Sequence, residues 1–219
     1  MRVLIFANGE LGGAQGAQSW LRWADRVLAA NGGTRHALAL GRIPDAVIGD
    51  LDSLGAAERA RLEQAGTLVL PFSPRKDETD LELALSYAVR EGASEIVILA
   101  ALGGRLDQTL ANLLLLALPE LERCDVRIVE GAQTAFLIRG GTGAAVIEGQ
   151  PGDVISLIPL AGDAPGVTTE GLEWPLNGET LRFGPARGVS NVLRATPAHV
   201  HLEQGLLLCV VMARNGGGV

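Results

Sequence analysis

The stretch TLVLPFSPRKDETDLELALSYAVREGASEIVILAAL, residues 67–102, carries two apolar runs with one helical pattern between them. TLVLPF (67–72) and EIVILAAL (95–102) are short, continuous and aliphatic, which marks buried strands. Between them Leu81, Leu85, Ala88 and Val89 recur at i, i+4, i+7 and i+8, one face of a helix, and Gly92 supplies a stop. Thr79 and Glu82 have the capping-box spacing that starts such a helix. Strand, helix, strand is the repeating unit of a parallel sheet.

The same grammar runs outward from this unit. RVLIFA (2–7), RVLAA (26–30), DAVIG (45–49) and DVRIVE (125–130) are further strand candidates. LDQTLANLLLLALPE (106–120) is apolar nearly all round and meets Pro119, which predicts a helix buried on most sides. The expectation for residues 1–130 is therefore an α/β domain with a doubly wound, mostly parallel sheet. After residue 131 the helical periodicity stops and Gly and Pro punctuate short strands: TAFLIRG (134–140), DVISLIPL (153–160), GVTTEGL (166–172), ETLRFG (179–184) and HVHLEQGLLLCVVMA (199–213). Residues 131–219 are expected to form an antiparallel β-sandwich or barrel-like domain. The same strands would also serve as an antiparallel extension of the first sheet.

Composition narrows the function classes. The 219 residues are 47% hydrophobic and 20% charged with a net charge of −7, an ordinary soluble balance without a nucleic-acid footprint. Cys124 and Cys209 lie far apart, in neither metal-binding nor disulfide spacing, which suits a reducing cytoplasm. MRVLIFANGE has too short an apolar run for a signal peptide or a membrane span and reads as a first strand. The 29 glycines are scattered rather than periodic.

Ligands of a doubly wound sheet bind beyond the carboxyl ends of its strands. GDLDS follows the strand at 45–49, SPRKDETD the strand at 67–72, and GGRLD the strand at 95–102. Three strand ends thus bring Asp50, Asp52, Asp77, Asp80 and Asp107 to one edge. Each has a plain reading: Asp52 or Ser53 as a turn cap, Asp80 as a complement to a helix dipole, Asp107 as an N-cap. Together, uncompensated carboxylates repel. Lys76 and Arg105 offset part of that charge, and a divalent cation would offset more. An all-oxygen set suits Mg²⁺, which commonly arrives with a polyphosphate. Phosphate loops of the G-x-x-x-x-G-K-[ST] or G-x-G-x-x-G type are absent. ANGELGGAQGAQ (7–18) is either a loop that lets backbone approach a ligand closely or a simple flexible loop.

The ordered set GDLDS (49–53), DETD (77–80) and GGRLDQ (103–108) resembles the thiamine pyrophosphokinase family, and TTEGLEWPL (168–176) and GVSNVL (188–193) resemble its second-domain segments. The resemblance implies an α/β domain for Mg-ATP, a β domain contributing thiamine binding and dimerisation, and a homodimer with thiamine near the subunit interface. It implies transfer of a pyrophosphoryl group from ATP to the thiamine hydroxyl, with AMP released. Asp50, Asp52, Asp80, Arg105 and Asp107 map onto catalytic positions, with Asp50, Asp52 and Asp80 as Mg²⁺ ligands. Asn31, Ser53, Lys76, Asp77, Thr79 and Gln108 map onto cofactor-binding positions, and Ser190 with Asn191 onto the thiamine segment. Two positions depart from the family. Asn31-Gly32-Gly33 stands where Asp-Gly-Gly is usual, keeping a carbonyl acceptor but losing a charge. Gln108 stands where many bacterial members have His.

Other residues invite chemistry less strongly. His199 and His201 alternate on one strand face, without an evident third metal ligand. Trp174 is either a core or interface residue or a platform for an aromatic ring. Ser190 lacks a nucleophile-elbow context. Two rival functions remain: a pyrophosphokinase for another small alcohol such as a pterin, and a non-catalytic nucleotide sensor.

Overall fold

The computed structural model describes residues 1–214. The chain forms two compact units, Met1–Gly131 and a second that begins at Ala132. In the first, β1 (Arg2–Phe6), β2 (Arg26–Ala30), β3 (Ala46–Gly49), β4 (Leu68–Pro71), β5 (Glu95–Leu99) and β6 (Asp125–Glu130) lie in the order β6-β5-β1-β2-β3-β4. Every pairing among them is parallel. The helices are α1 (Ala14–Trp23), α2 (Thr34–Ala39), α3 (Ala56–Gln64), α4 (Asp80–Arg90) and α5 (Leu106–Leu115).

Alternation along the strands sorts these helices onto two faces. Leu4, Phe6, Val27, Val97 and Leu99 point to one side and pack with Ala17 of α1 and Ala37 of α2. Ala29 and Val47 continue that side against Leu62 of α3. The α4 helix packs on β1, β2 and β3, burying Leu81, Ala84, Leu85 and Ala88. Its start follows the expected grammar, since Thr79 is the N-cap and its hydroxyl accepts the Glu82 N–H at 3.2 Å. A parallel sheet covered on both sides needs strands that are apolar at every position, which is how the central ones read.

One expectation fails in α5. Its sequence is apolar all round, yet Leu106, Leu110 and Leu114 are 82%, 56% and 46% exposed. The buried residue within the helix is Asn112, whose Nδ2 donates to the Ala101 carbonyl at 2.6 Å. An amide therefore anchors α5 to the exit of β5, and a row of leucines at i, i+4 and i+8 faces outward.

The second unit holds two four-stranded antiparallel groups. One has the order β12-β9-β14-β7, made of β7 (Gln133–Arg139), β9 (Val154–Pro159), β12 (Asn191–Val192) and β14 (Leu206–Met212). The other has the order β11-β10-β13-β8, made of β8 (Ala145–Ile147), β10 (Ala164–Glu170), β11 (Glu179–Leu181) and β13 (Ala198–His201). Ile138, Ile155, Leu157, Leu207 and Cys209 from the first group share a core with Ile147, Val167, Leu181 and Val200 from the second. This is a sandwich of two sheets. The apolar stretch 199–213 is split into β13 and β14 at a turn where Gly205 has φ +93°.

Gly33 tests the packing at the end of β2. A Cβ there would run into the Phe6 carbonyl, a backbone atom of the neighbouring strand. Gly33→Ala should therefore lose at least the ~1–3 kcal/mol typical of overpacking, roughly 3–10 °C in Tm. Differential scanning calorimetry that shows an unchanged first-unit transition would refute this.

Candidate active site

The carboxyl edge of the first unit carries most of the expected polar residues. Asn31 follows β2, Asp50 and Asp52 follow β3, and Lys76 and Asp77 follow β4. Thr79 and Asp80 open α4, and Arg105, Asp107 and Gln108 open α5.

Asn31 is the hub of this edge. It is 5% exposed and takes a left-handed backbone with φ +44°, which asparagine tolerates well. Its Nδ2 donates to Asp50 Oδ1 at 2.8 Å and to Asp52 Oδ1 at 2.9 Å. Ionised carboxylates only accept, so both amide hydrogens must face them, and the Asn31 side-chain Oδ1 is left buried without a partner among the described residues. The sequence shows a carbonyl acceptor kept and a charge lost at this position; in the structure the amide N–H₂ does the gathering. Asp52 also accepts the Ser53 hydroxyl at 3.1 Å. The Asn31 amide first, then the Ser53 hydroxyl, hold the Asp52 carboxyl below the ordinary carboxylate range. Asp52 is therefore ionised at neutral pH.

Asp80 joins the same group from α4. Lys76 Nζ donates to its Oδ1 at 2.5 Å, with the two side chains only 13% and 24% exposed. Asp80 and Asn31 both press on Gly49, where a Cβ would lie 2.8 Å from Asp80 Cγ and 2.9 Å from Asn31 Cβ. Asn31, Asp50, Asp52, Ser53, Lys76 and Asp80 are thus brought together.

Arg105 and Asp107 behave differently. Arg105 donates from Nε to Asp107 Oδ1 at 3.1 Å and from Nη2 to Oδ2 at 2.5 Å, and both side chains are well exposed. Their bonds close on each other rather than on the Asp50–Asp80 group. This pairing holds the Asp107 carboxyl below its ordinary range. Asp77 and Gln108 are exposed at the same edge.

The start of the glycine-rich loop after β1 is held by backbone bonds to the exit of β5. The Gly9 and Glu10 N–H groups donate to the Ala100 and Leu102 carbonyls at 2.7 and 2.9 Å. A Cβ on Gly9 would lie 2.6 Å from the Ala100 carbonyl oxygen, so the close approach is to the exit of β5. Arg35 and His36 grip the other side: Arg35 Nη2 donates to the Asn8 and Gly9 carbonyls, and His36 Nε2 to the Gly9 carbonyl, all at 3.0 Å. Burial, then the Arg35 charge, push the His36 pKa down against the opposing pull of that carbonyl. Arg35 and His36 carry no motif in the sequence; their place just after the Asn31 turn is the one local signal for them.

In the second unit Asn191 spends its side chain on backbone. Its Oδ1 accepts the Trp174 N–H at 3.1 Å and its Nδ2 donates to the Trp174 carbonyl at 2.7 Å. The clamped residue presents an indole that is 52% exposed. Ser190 has φ +62°, and its N–H donates to Ser156 Oγ at 3.1 Å.

Among the described residues, no three His, Cys, Asp or Glu side chains are gathered closely enough to hold a metal ion by themselves. The amide-clamped pair Asp50 and Asp52 suits Mg²⁺ all the same. That ion is commonly held by one or two carboxylates, with water and substrate phosphates completing an oxygen shell.

Two family models match the chain, one within each unit. Residues 17–128 match the family model for the thiamin pyrophosphokinase catalytic domain, and residues 145–207 that for the thiamin pyrophosphokinase vitamin B1 binding domain. Thiamine pyrophosphokinase of Bacillus subtilis is 29% identical over 178 residues, 81% of this chain and 83% of that protein. Thiamine pyrophosphokinase 1 of Arabidopsis thaliana is 30% identical over 183 residues, 79% of this chain and 67% of that protein. The crystal structure of the Bacillus subtilis protein superposes with a TM-score of 0.85 at 27% identity, covering 98% of this chain and 100% of that one. The Candida albicans protein, at 16% identity over 97% of this chain and 88% of its own, shares the fold with a TM-score of 0.82.

Thr79 has a structural duty that stability measurements can isolate. Thr79→Ala should lose about 1 kcal/mol with the cap, while Thr79→Ser should keep most of it. Equal Tm values for the alanine and wild-type proteins would show that the cap carries nothing.

Proposed function

The chain belongs to the thiamine pyrophosphokinase family, and from that membership we propose that it transfers the pyrophosphoryl group of ATP to the hydroxyl of thiamine. The products are thiamine diphosphate and AMP. The observation that carries this reading is the single group formed by Asn31, Asp50, Asp52, Lys76 and Asp80 at the sheet's carboxyl edge, inside the segment that matches the catalytic domain.

In the reaction the thiamine oxygen bonds to the β-phosphorus as the bond from that phosphorus to the AMP oxygen breaks. The chemistry demands alignment and stabilisation of charge on the phosphate oxygens. Mg²⁺ held by Asp50 and Asp52, with Asp80 beside them, would neutralise part of that charge. Arg105 supplies a planar donor fork for phosphate and Lys76 a point charge. The hydroxyl proton passes to a carboxylate, and Asp80, held at Oδ1 by Lys76, has its second oxygen for that step. Asp77, Ser53, Thr79, Gln108 and Asp107 belong to the nucleotide side of this reading. Thiamine is a cation, so an acidic edge favours its approach.

Residues 1–130 would bind Mg-ATP, and 131–219 would contribute thiamine binding and dimerisation. The match of the second unit to a vitamin B1 binding model supports thiamine over a pterin or another alcohol. On this reading Ser190 faces thiamine, and Asn191 serves it by holding Trp174. The homodimer follows from family membership, and the outward leucine row of α5 would add apolar surface of the first unit to the contact made by residues 131–219. Cys124 and Cys209, both free thiols, suit a reducing cytoplasm.

The direct test is to incubate the protein with ATP, Mg²⁺ and thiamine and to quantify AMP, ADP and thiamine diphosphate. Equal amounts of AMP and thiamine diphosphate are expected. Asp52→Asn should lower the rate at least about 100-fold without a loss of Tm. A Mg²⁺-dependent Asp52→Asn enzyme of normal rate would remove Asp52 from the machinery.

A further inference from the structure

We propose that Asn31 is the positioning residue of the acidic edge: its one amide gathers Asp50 and Asp52 into a converging pair before any cation arrives. The inference rests on the reading of that pair as a Mg²⁺ site and deepens it.

Two carboxylates one residue apart repel, and left to themselves would turn away from each other into water. Here they converge because both hydrogens of one N–H₂ group are spent on them, at 2.8 and 2.9 Å. The backbone N–H of Asp52 adds a longer bond to the same Asp50 oxygen, at 3.3 Å. The donor itself cannot drift. Asn31 is 5% exposed, its backbone is fixed at φ +44°, and its Cβ lies against the backbone of Gly49, the residue before Asp50. Its side-chain oxygen Oδ1 is buried and has no hydrogen-bond partner among the described residues, so the amide face alone engages the site. An aspartate at this position would put a third acceptor against two acceptors and would need a cation to hold the group together. The amide in this chain replaces part of that requirement. It lowers the total negative charge of the site while keeping its geometry assembled in the cation-free state.

Two substitutions separate these effects. Asparagine, aspartate and glycine all accept a left-handed backbone, so neither Asn31→Gly nor Asn31→Asp strains the turn. Mn²⁺ serves as the probe, its free concentration read by electron paramagnetic resonance, on the whole chain without substrates. Asn31→Gly should weaken Mn²⁺ binding about tenfold, the scale on which loss of a residue supporting a metal ligand acts. In the product assay it should raise the half-saturating Mg²⁺ concentration, with kcat largely recovered at high Mg²⁺. Asn31→Asp should melt below wild type without cation and gain more Tm than wild type when Mn²⁺ is added; it decides the matter alone if Asn31→Gly does not fold. Unchanged Mn²⁺ binding by Asn31→Gly, no Mn²⁺ binding by wild type, or a cation-free Tm of Asn31→Asp equal to wild type would each overturn the proposal. Failure of the proposed reaction would show separately, as wild-type protein that binds Mn²⁺ but makes no thiamine-dependent AMP.

Discussion

Everything at the acidic edge depends on the backbone of β3 leaving the sheet with no side chain at its last residue. Gly49 has φ +148°, and a Cβ there would strike Asp80 and Asn31 together. Because that atom is missing, the exit of β2, the exit of β3 and the start of α4 close on one point. The next residue but one completes the arrangement. Leu51 turns inward with φ +62° and packs in the core with Val47 and Leu62, which leaves Asp50 and Asp52 on the other side of the turn. Two carboxylates separated by one leucine are therefore a single device: the leucine is the anchor, and the carboxylates are the groups it presents.

The parts legible in the sequence are those that a local pattern determines. The strand–helix–strand unit at 67–102 could be read from periodicity, because a strand buried on both faces must be apolar throughout while a helix need bury only one stripe. The acidic residues could be placed on one edge because every parallel strand points the same way, so the loops leaving their carboxyl ends all emerge on the same side. Thr79 could be read as a cap from its spacing to Glu82, and the hydroxyl is bonded as that spacing requires.

The features that escaped the sequence were decided by partners far along the chain. An apolar α5 suggested burial, yet the helix is tethered by Asn112 and shows Leu106, Leu110 and Leu114 to the outside. Periodicity gives the faces of a helix, not which of them finds a neighbour. The Ser-Asn pair was legible as a segment, but the grip of the Asn191 amide on the Trp174 backbone, 17 residues away, was not. For Asn31 the lost charge was visible and its consequence was not, since only the folded chain shows which end of an amide meets the aspartates.

The two cation–carboxylate pairs of the edge differ in a way that bears on how phosphate would be met. Lys76 and Asp80 are mostly shielded, and Lys76 Nζ also lies 5.7 Å from the Phe72 ring centroid, so separating that pair would expose two charges in a confined place. Arg105 and Asp107 stand in water, where solvent screens such a pair and leaves it weak. A phosphate oxygen offers the Arg105 fork at least as good an acceptor, so Arg105 can change partner at little cost while Asp107 falls back on water. The structure thus has a fixed half, built from Asn31, Asp50, Asp52, Lys76 and Asp80, and an exchangeable half at the start of α5. For the proposed reaction, in which charge moves from one phosphate to its neighbours, the fixed half would set alignment and the exchangeable half would track the charge.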